Sequence, residues 1–185
     1  GEGEETFAEI LTQFENGHHL NNIRNTYFVD KKERVFIKNP RRRLIDESEL
    51  WKIAPDYSFF DKGYFIYPFD GKLYRRFSFE VARGCPFDCT YCGNTALNKV
   101  NKGLGRFVRT RPVAYIKENM KKVVEDYGIE LLYLEDECFM AHPVSWLKEL
   151  ADWYGKEIKK PFIIQTRPET VTEEKIKILQ QMNAP

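Results

Sequence analysis

The chain has 185 residues and a nearly balanced charge, with 29 basic and 28 acidic side chains and a formal net charge of +1. This balance gives no reason to expect a nucleic-acid partner, and no apolar run approaches the roughly 20 residues that a membrane span needs. Fourteen phenylalanines and ten tyrosines are enough for a sizeable core. Four cysteines, three of them clustered, fit a reducing compartment better than a secreted scaffold, so the composition favours a cytoplasmic protein.

An amphipathic helix is predicted near the start of the chain. Thr6 and Glu9 have the spacing of a capping box, and the helix is expected to end near Gly17. Its apolar stripe consists of Phe7, Ile10, Leu11 and Phe14. Glu2 and Glu4 lie between and beside glycines. Two interpretations fit them equally well. They belong either to a binding site or to a turn before a helix, whose N-terminus favours carboxylates.

Two hairpins are predicted in the next segment. Residues 26–29 and 34–37 flank a polar turn, and Asp70-Gly71 forms a second turn that leads towards the cysteines. Between them, the basic run Arg41-Arg42-Arg43 predicts a solvated or interdomain face, with a phosphate contact as the less favoured alternative.

The cysteines follow a short strand. Apolar and polar residues alternate from Phe77 to Ala82, and Gly84 stops the pattern. Cys85, Cys89 and Cys92 therefore lie on a loop just past the carboxyl end of a strand. Three thiols this close, with the fourth cysteine far away, argue against a disulfide framework.

Three ligands are one too few for a closed metal site. A structural zinc would need Cys138 or His142 as its fourth ligand, but no second paired knuckle follows the first. A [4Fe-4S] cluster held by three cysteines would keep one iron open to another ligand.

Alternating strands and helices follow. Residues 98–110 are predicted to be a basic loop. The predicted elements after it are a helix from Pro112 to Gly128, a strand at 129–134, a helix from Ser145, a strand at 161–166 and a helix capped by Thr172. Three strand-helix units require a parallel sheet and give an α/β fold of about half a barrel.

Ligand sites in such folds gather at the carboxyl ends of the strands. The first strand ends in the cysteines, and the second ends in Glu135, Asp136 and Glu137. The third ends in Gln165 and Arg167. All three groups are expected on one face. Carboxylates there need partners or water, and an ammonium group or ribose hydroxyls would satisfy them.

The spacing Cys85-x3-Cys89-x2-Cys92, with Tyr91 before the last cysteine, resembles the signature of the radical S-adenosylmethionine superfamily. The resemblance implies a [4Fe-4S] cluster whose fourth iron is chelated by S-adenosylmethionine. It also implies reductive cleavage to a 5′-deoxyadenosyl radical, which needs an electron donor such as flavodoxin or ferredoxin. Tyr91 would lie near the adenine.

Other stretches are similar to the cobalamin-binding subclass of that superfamily. Residues 136–139 resemble its D-D-x-F element with Glu in second place, and residues 165–167 resemble its Q-T-R element. The resemblance implies that the strand end with Glu135, Asp136 and Glu137 binds the methionine amino group, and helix-capping or solvated acids are the alternative. It also implies that Gln165 and Arg167 contact the cofactor, and a structural salt bridge of Arg167 is an equally plausible role. For the basic run at 41–43, a contact to the corrin side chains is a less favoured alternative. The subclass's cobalt-ligating histidine is not in this sequence.

The sequence therefore predicts a fragment with three parts. Residues 1–24 are the last helix of a Rossmann-like cobalamin-binding domain, 25–76 a hairpin connector, and 77–185 the first half of a radical S-adenosylmethionine barrel. The expected reaction on a small-molecule substrate is cobalamin-dependent methylation or oxidative cyclisation of an unactivated carbon, and the fragment alone is expected to be inactive or weakly active. The alternatives are a cobalamin-free methylthiotransferase-like enzyme and a non-catalytic zinc module.

Overall fold

A computed structural model describes residues 2–182 as a mixed α/β structure. The helices are α1 (Glu4–Glu15), α2 (Glu47–Leu50), α3 (Gly93–Val100), α4 (Val113–Tyr127), α5 (Val144–Glu157) and α6 (Glu173–Gln181). The strands are β1 (Tyr27–Asp30), β2 (Val35–Lys38), β3 (Ile66–Phe69), β4 (Lys72–Glu80), β5 (Ala82–Arg83), β6 (Arg109–Thr110), β7 (Leu131–Glu135) and β8 (Phe162–Ile164). Within residues 2–182, no helix is both long and apolar enough to cross a membrane.

The main sheet has the strand order β3-β4-β7-β8. Strand β3 pairs antiparallel with β4, whereas β4, β7 and β8 are parallel to one another. The register places Glu80 at the end of β4 directly beside Glu135 at the end of β7. The parallel arrangement predicted from the alternation of strands and helices is confirmed, and it brings the carboxyl ends of three strands to one edge.

The core lies between this sheet and the helices that connect its strands. Phe77 and Phe79 of β4 are buried, as are Leu132 and Leu134 of β7. Side chains alternate along a strand, so Ser78, Glu80, Tyr133 and Glu135 point to the other face. The core residues of α4 and α5 include Val113, Ile116, Met120, Leu147, Leu150 and Tyr154. One face of the sheet therefore packs into the core, and the other carries Glu80 and Glu135 at the strand ends.

Both predicted hairpins are present. Strands β1 and β2 pair antiparallel, and so do β3 and β4. The turn between β3 and β4 places Asp70 at φ 46° and Gly71 at φ 71°. Two consecutive positive φ values are the geometry for which an Asp-Gly pair is favoured, so the turn was readable from the sequence.

The predicted capping box is wrong. Helix α1 begins at Glu4 with Gly3 at its N-cap, and the Phe7 amide donates to the Gly3 carbonyl at 2.7 Å. Thr6 therefore lies inside the first turn. Two carboxylates at the helix start, Glu4 and Glu5, favour the earlier beginning.

The predicted loop at 98–110 is interrupted by structure that the sequence did not indicate. Helix α3 reaches Val100, and β6 pairs with β5. Helix α3 has eight residues and buries only Thr95, and β6 has two residues, so both are too short for a periodic pattern to predict them.

Candidate active site

Strand β4 is followed, through the short strand β5, by the loop that carries the three cysteines. After β4, Val81 is fully buried and β5 pairs with β6. Gly84 then adopts φ 83°, and a Cβ at this position would lie 2.4 Å from the carbonyl oxygen of Phe107. Only glycine fits both the backbone angle and the close approach. The loop that carries the thiols therefore leaves the sheet at a sterically fixed point.

The far end of the loop is held by helix α3. The hydroxyl of Thr95 donates to the Cys89 carbonyl at 2.8 Å, and the Cys92 amide donates to the same carbonyl at 3.0 Å. Cys92 is the N-cap residue of α3. Both ends of the loop are thus attached to regular structure.

Cys85, Cys89 and Cys92 are free thiols of intermediate exposure. Burial raises the pKa of the Cys85 thiol above its usual value. Within the described part of the chain, no three Cys, His, Asp or Glu side chains converge closely enough to hold one metal ion. Three free thiols on one attached loop have the chemistry of an iron-sulfur ligand set, since Cys thiolates are the usual ligands of such clusters.

Cys138, the fourth thiol, has a different environment. It is 2% exposed, and its sulfur lies 3.5 Å from the Thr166 hydroxyl and 3.9 Å from that of Thr170. A buried cysteine with hydroxyl neighbours behaves as a small packed residue. Cys138 occupies the x position of the D-D-x-F element that residues 136–139 resemble.

The acidic cluster after β7 divides into one buried and two exposed carboxylates. Asp136 is 7% exposed and accepts from the Cys138 amide at 2.7 Å and from His142 Nε2 at 2.5 Å. The His142 ring lies 4.3 Å from that of Trp146. Asp136 is therefore engaged inside the protein, whereas Glu135 and Glu137 are exposed and form no ion pair within residues 2–182.

Glu135 is exposed as a residue, yet partial burial of its carboxyl raises its pKa. The neighbouring carboxylates of Glu80 and Glu137 add to the rise. A negative potential of this kind attracts a cation.

The raised pKa of Glu135 predicts a pH-dependent stability. The folded state holds the proton more tightly, so this group's stabilising contribution is present below the unfolded pKa and is lost as pH rises through the folded pKa. Glu135→Gln should remove this decline in the free energy of unfolding, measured by urea titration between about pH 3.5 and 7. Glu157→Gln is the control with the opposite slope, because the hydrogen bond from Lys121 lowers the pKa of Glu157. A Glu135 carboxyl that titrates at or below its ordinary value by NMR would contradict the prediction.

The end of β8 connects to both neighbouring loops. The Phe139 amide donates to the Gln165 carbonyl at 2.9 Å, and the Met140 amide donates to the Thr166 hydroxyl at 3.1 Å. Arg167 reaches the cysteine loop, where its Nη1 donates to Cys89 Sγ at 2.7 Å. The third strand end is therefore bonded to the second and to the first.

A cavity of about 310 Å³ lies among these strand ends. Of the predicted site residues, Glu135, Asp136, Glu137 and Gln165 line it. The cysteine loop contributes its flanking residues Gly84 and Asn94. Tyr91 is 91% exposed and lies outside the cavity lining. The structure thus gathers the acids and Gln165 in one cavity, joins Arg167 to Cys89, and leaves Tyr91 on the surface.

A second charged group contains Glu2 and Glu4, whose arginine partners were not predicted from the sequence. Glu2 accepts from the Ile45 amide at 2.8 Å and pairs with the buried Arg109 at 2.5 Å. Arg83 pairs with Glu4 and with Glu80, each at 2.6 Å. Glu2 and Glu4 therefore attach the start of α1 to β5 and β6. In the sequence, the repeated carboxylates Glu2 and Glu4 were the only indication of this charged group.

A parallel α/β sheet with three free thiols at one strand end and carboxylates at the next has the features of the radical S-adenosylmethionine class. Comparisons with known proteins find a curated relative and a solved structure that are similar to this chain. No family model matches the sequence.

One curated relative is the anaerobic magnesium-protoporphyrin IX monomethyl ester cyclase of Synechocystis sp., which is 22% identical over 174 residues. The match covers 94% of this chain and 32% of the relative. A solved structure of the cobalamin-dependent S-adenosylmethionine radical enzyme OxsB matches with a TM-score of 0.59 and 16% identity, over 98% of this chain and 25% of that one. The structural match shows a shared fold. The chain spans about a third of the relative's length and a quarter of the OxsB chain.

Proposed function

We propose that this chain is part of a cobalamin-dependent radical S-adenosylmethionine enzyme. The observation that carries the proposal is the loop of three free thiols, which is attached at Gly84 and at α3. Its flanking residues Gly84 and Asn94 line the same cavity as the acidic strand end. Cys85, Cys89 and Cys92 would hold a [4Fe-4S] cluster and leave one iron for S-adenosylmethionine. Such a cluster, when reduced, would supply the electron for cleavage of the cofactor to a 5′-deoxyadenosyl radical.

The cavity residues would bind the rest of S-adenosylmethionine. Glu135 and Glu137 present carboxylates that form no ion pair among the described residues, and a methionine ammonium would satisfy them. Asp136 would hold the shape of this strand end through His142 and the Cys138 amide. Gln165 and Arg167 would supply polar contacts, and Tyr91 would reach the adenine from the surface of the loop.

We assign three parts to the chain. Residues 77–185 would be the first half of a barrel, 25–76 a connector, and 1–24 the end of a cobalamin-binding domain. The ion pairs of Glu2 with Arg109 and of Glu4 with Arg83 would hold the first part against the barrel. Cobalamin itself would be bound mostly by residues outside this sequence.

The reaction would abstract hydrogen from an unactivated carbon of a small-molecule substrate. Methylation of that carbon is the first candidate, because the structural relative is cobalamin-dependent. Oxidative cyclisation is the second, because the curated relative is named as a cyclase. Both need an electron donor such as flavodoxin or ferredoxin.

Anaerobic iron-sulfur reconstitution followed by electron paramagnetic resonance tests the proposal. Dithionite-reduced protein is expected to give a [4Fe-4S] signal that shifts when S-adenosylmethionine is added, because the cofactor would bind the open iron. Glu135→Gln with Glu137→Gln should raise the cofactor concentration needed for the shift by about tenfold, equivalent to one lost charge-assisted contact. The proposal would be overturned by a protein that takes up zinc and no iron, or by a cluster whose signal does not change when S-adenosylmethionine is added.

A further inference from the structure

Arg167 connects the end of β8 to the cysteine loop, 78 residues away. Its Nη1 donates to Cys89 Sγ at 2.7 Å, and its Cζ lies 4.4 Å from the centre of the Phe87 ring. On its other side, Nε donates to Glu169 at 3.3 Å and Nη2 also pairs with that carboxylate. The ring and the carboxylate hold the guanidinium so that one N–H points at a thiol sulfur.

Hydrogen bonds also hold the backbones of Arg167 and Cys89 in place. The Arg167 carbonyl accepts from the Thr170 amide at 3.0 Å and from its hydroxyl at 2.7 Å. The Cys89 carbonyl accepts from Thr95 and from the Cys92 amide. The contact between guanidinium and sulfur therefore joins two fixed backbone positions.

We propose that Arg167 is a positioning residue that sets the reduction potential of the iron-sulfur centre through Cys89. The inference rests on the proposed function. Reduction adds one electron, supplied by dithionite or by a protein donor, and neither forms nor breaks a bond. The reduced centre is more negative by one charge, so a cation and an N–H donor at a ligand sulfur stabilise it more than the oxidised centre. Arg167 thus makes the centre easier to reduce.

This role differs from a contact to S-adenosylmethionine, because it acts before the cofactor binds. A residue that only contacts the cofactor would leave the cofactor-free potential unchanged. The two roles are therefore separated by a measurement without S-adenosylmethionine.

The experiment is an anaerobic redox titration of the reconstituted, cofactor-free protein, followed by electron paramagnetic resonance. Arg167→Met should shift the midpoint potential to a more negative value, equivalent to a roughly threefold to tenfold change in the reduction equilibrium. Arg167→Lys, which keeps the charge but loses the planar donor, should fall between Arg167→Met and the wild type. Arg24→Met removes an exposed arginine outside this group of contacts and should leave the potential unchanged.

Equal potentials for Arg167→Met and the wild type, with iron content preserved, would overturn the inference and leave the proposed function intact. A shift of the same size in Arg24→Met would also overturn it, since the effect would then be one of net charge. Failure of the proposed function has a different signature, because the wild-type chain would then assemble no [4Fe-4S] centre at all.

Discussion

Replacing any one of Cys85, Cys89 and Cys92 by alanine is expected to abolish assembly of a [4Fe-4S] centre. Each variant would leave two thiolates on the loop, and the remaining cysteine is buried against hydroxyl groups. Iron and sulfide analysis after anaerobic reconstitution should give about four of each per wild-type chain and close to none in the variants. Because the three thiols are partly exposed, the substitutions should change the free energy of unfolding of the metal-free chain by less than about 1 kcal/mol.

Cys138→Ala is the matched control, since it removes the same group from the same type of residue. It should keep the iron content of the wild type and lose about 1 kcal/mol of stability, because a small buried side chain is shortened. A zinc module would give the reverse result, in which Cys138→Ala abolishes metal binding. Loss of iron in all four cysteine variants would likewise contradict the assignment of three ligands.

The strands and helices that carry the site could be predicted because their patterns are local. Phe77 and Phe79 alternate with polar residues, and both are buried. Helix α4 begins after Pro112 and ends at Gly128, which has φ 62°. The spacing of apolar residues and the residue types at helix ends depend only on neighbours within one or two turns of the chain. The gathering of the strand ends at one edge then follows from parallel pairing.

The contacts within the site could not be predicted, because they join residues far apart in sequence. The pair between Glu2 and Arg109 spans 107 positions, and the bond between Arg167 and Cys89 spans 78. The engagement of Asp136 by His142 had no periodic signal either. Residue types predicted the chemistry of each strand end, but which carboxylate is buried depends on packing by Trp146 and the loop after β7.

The apolar stripe of α1 shows a different limit. Phe7 is 61% exposed and Phe14 is 71% exposed, although their spacing is that of a buried helix face. Periodicity predicted the helix and its stripe, but it does not determine what covers that stripe. By contrast, the polar face of α1 has partners, since Arg42 pairs with Glu9 and lies 3.8 Å from Glu5. The interdomain interpretation of the basic run stays a prediction.

Gly84→Ala is expected to destabilise the fold by about 2–4 kcal/mol and to impair assembly of the iron-sulfur centre. The left-handed angle of φ 83° costs an alanine about 1–2 kcal/mol, and a Cβ only 2.4 Å from the Phe107 carbonyl oxygen adds the cost of overpacking. Because a backbone atom cannot rotate away, the chain must shift between β5 and Cys85. Urea unfolding of the metal-free protein measures the first effect, and iron content after reconstitution measures the second.

Gly103→Ala separates the two costs. Gly103 has nearly the same backbone angle, φ 81°, but open space where a Cβ would lie. The Gly103→Ala variant should therefore lose only about 1–2 kcal/mol in the free energy of unfolding and keep its full iron content. If Gly84→Ala costs no more than Gly103→Ala and binds iron equally well, the close approach of Phe107 does not fix the start of the loop. If Gly84→Ala alone loses iron, the steric contact beneath Cys85 positions the first thiol of the site.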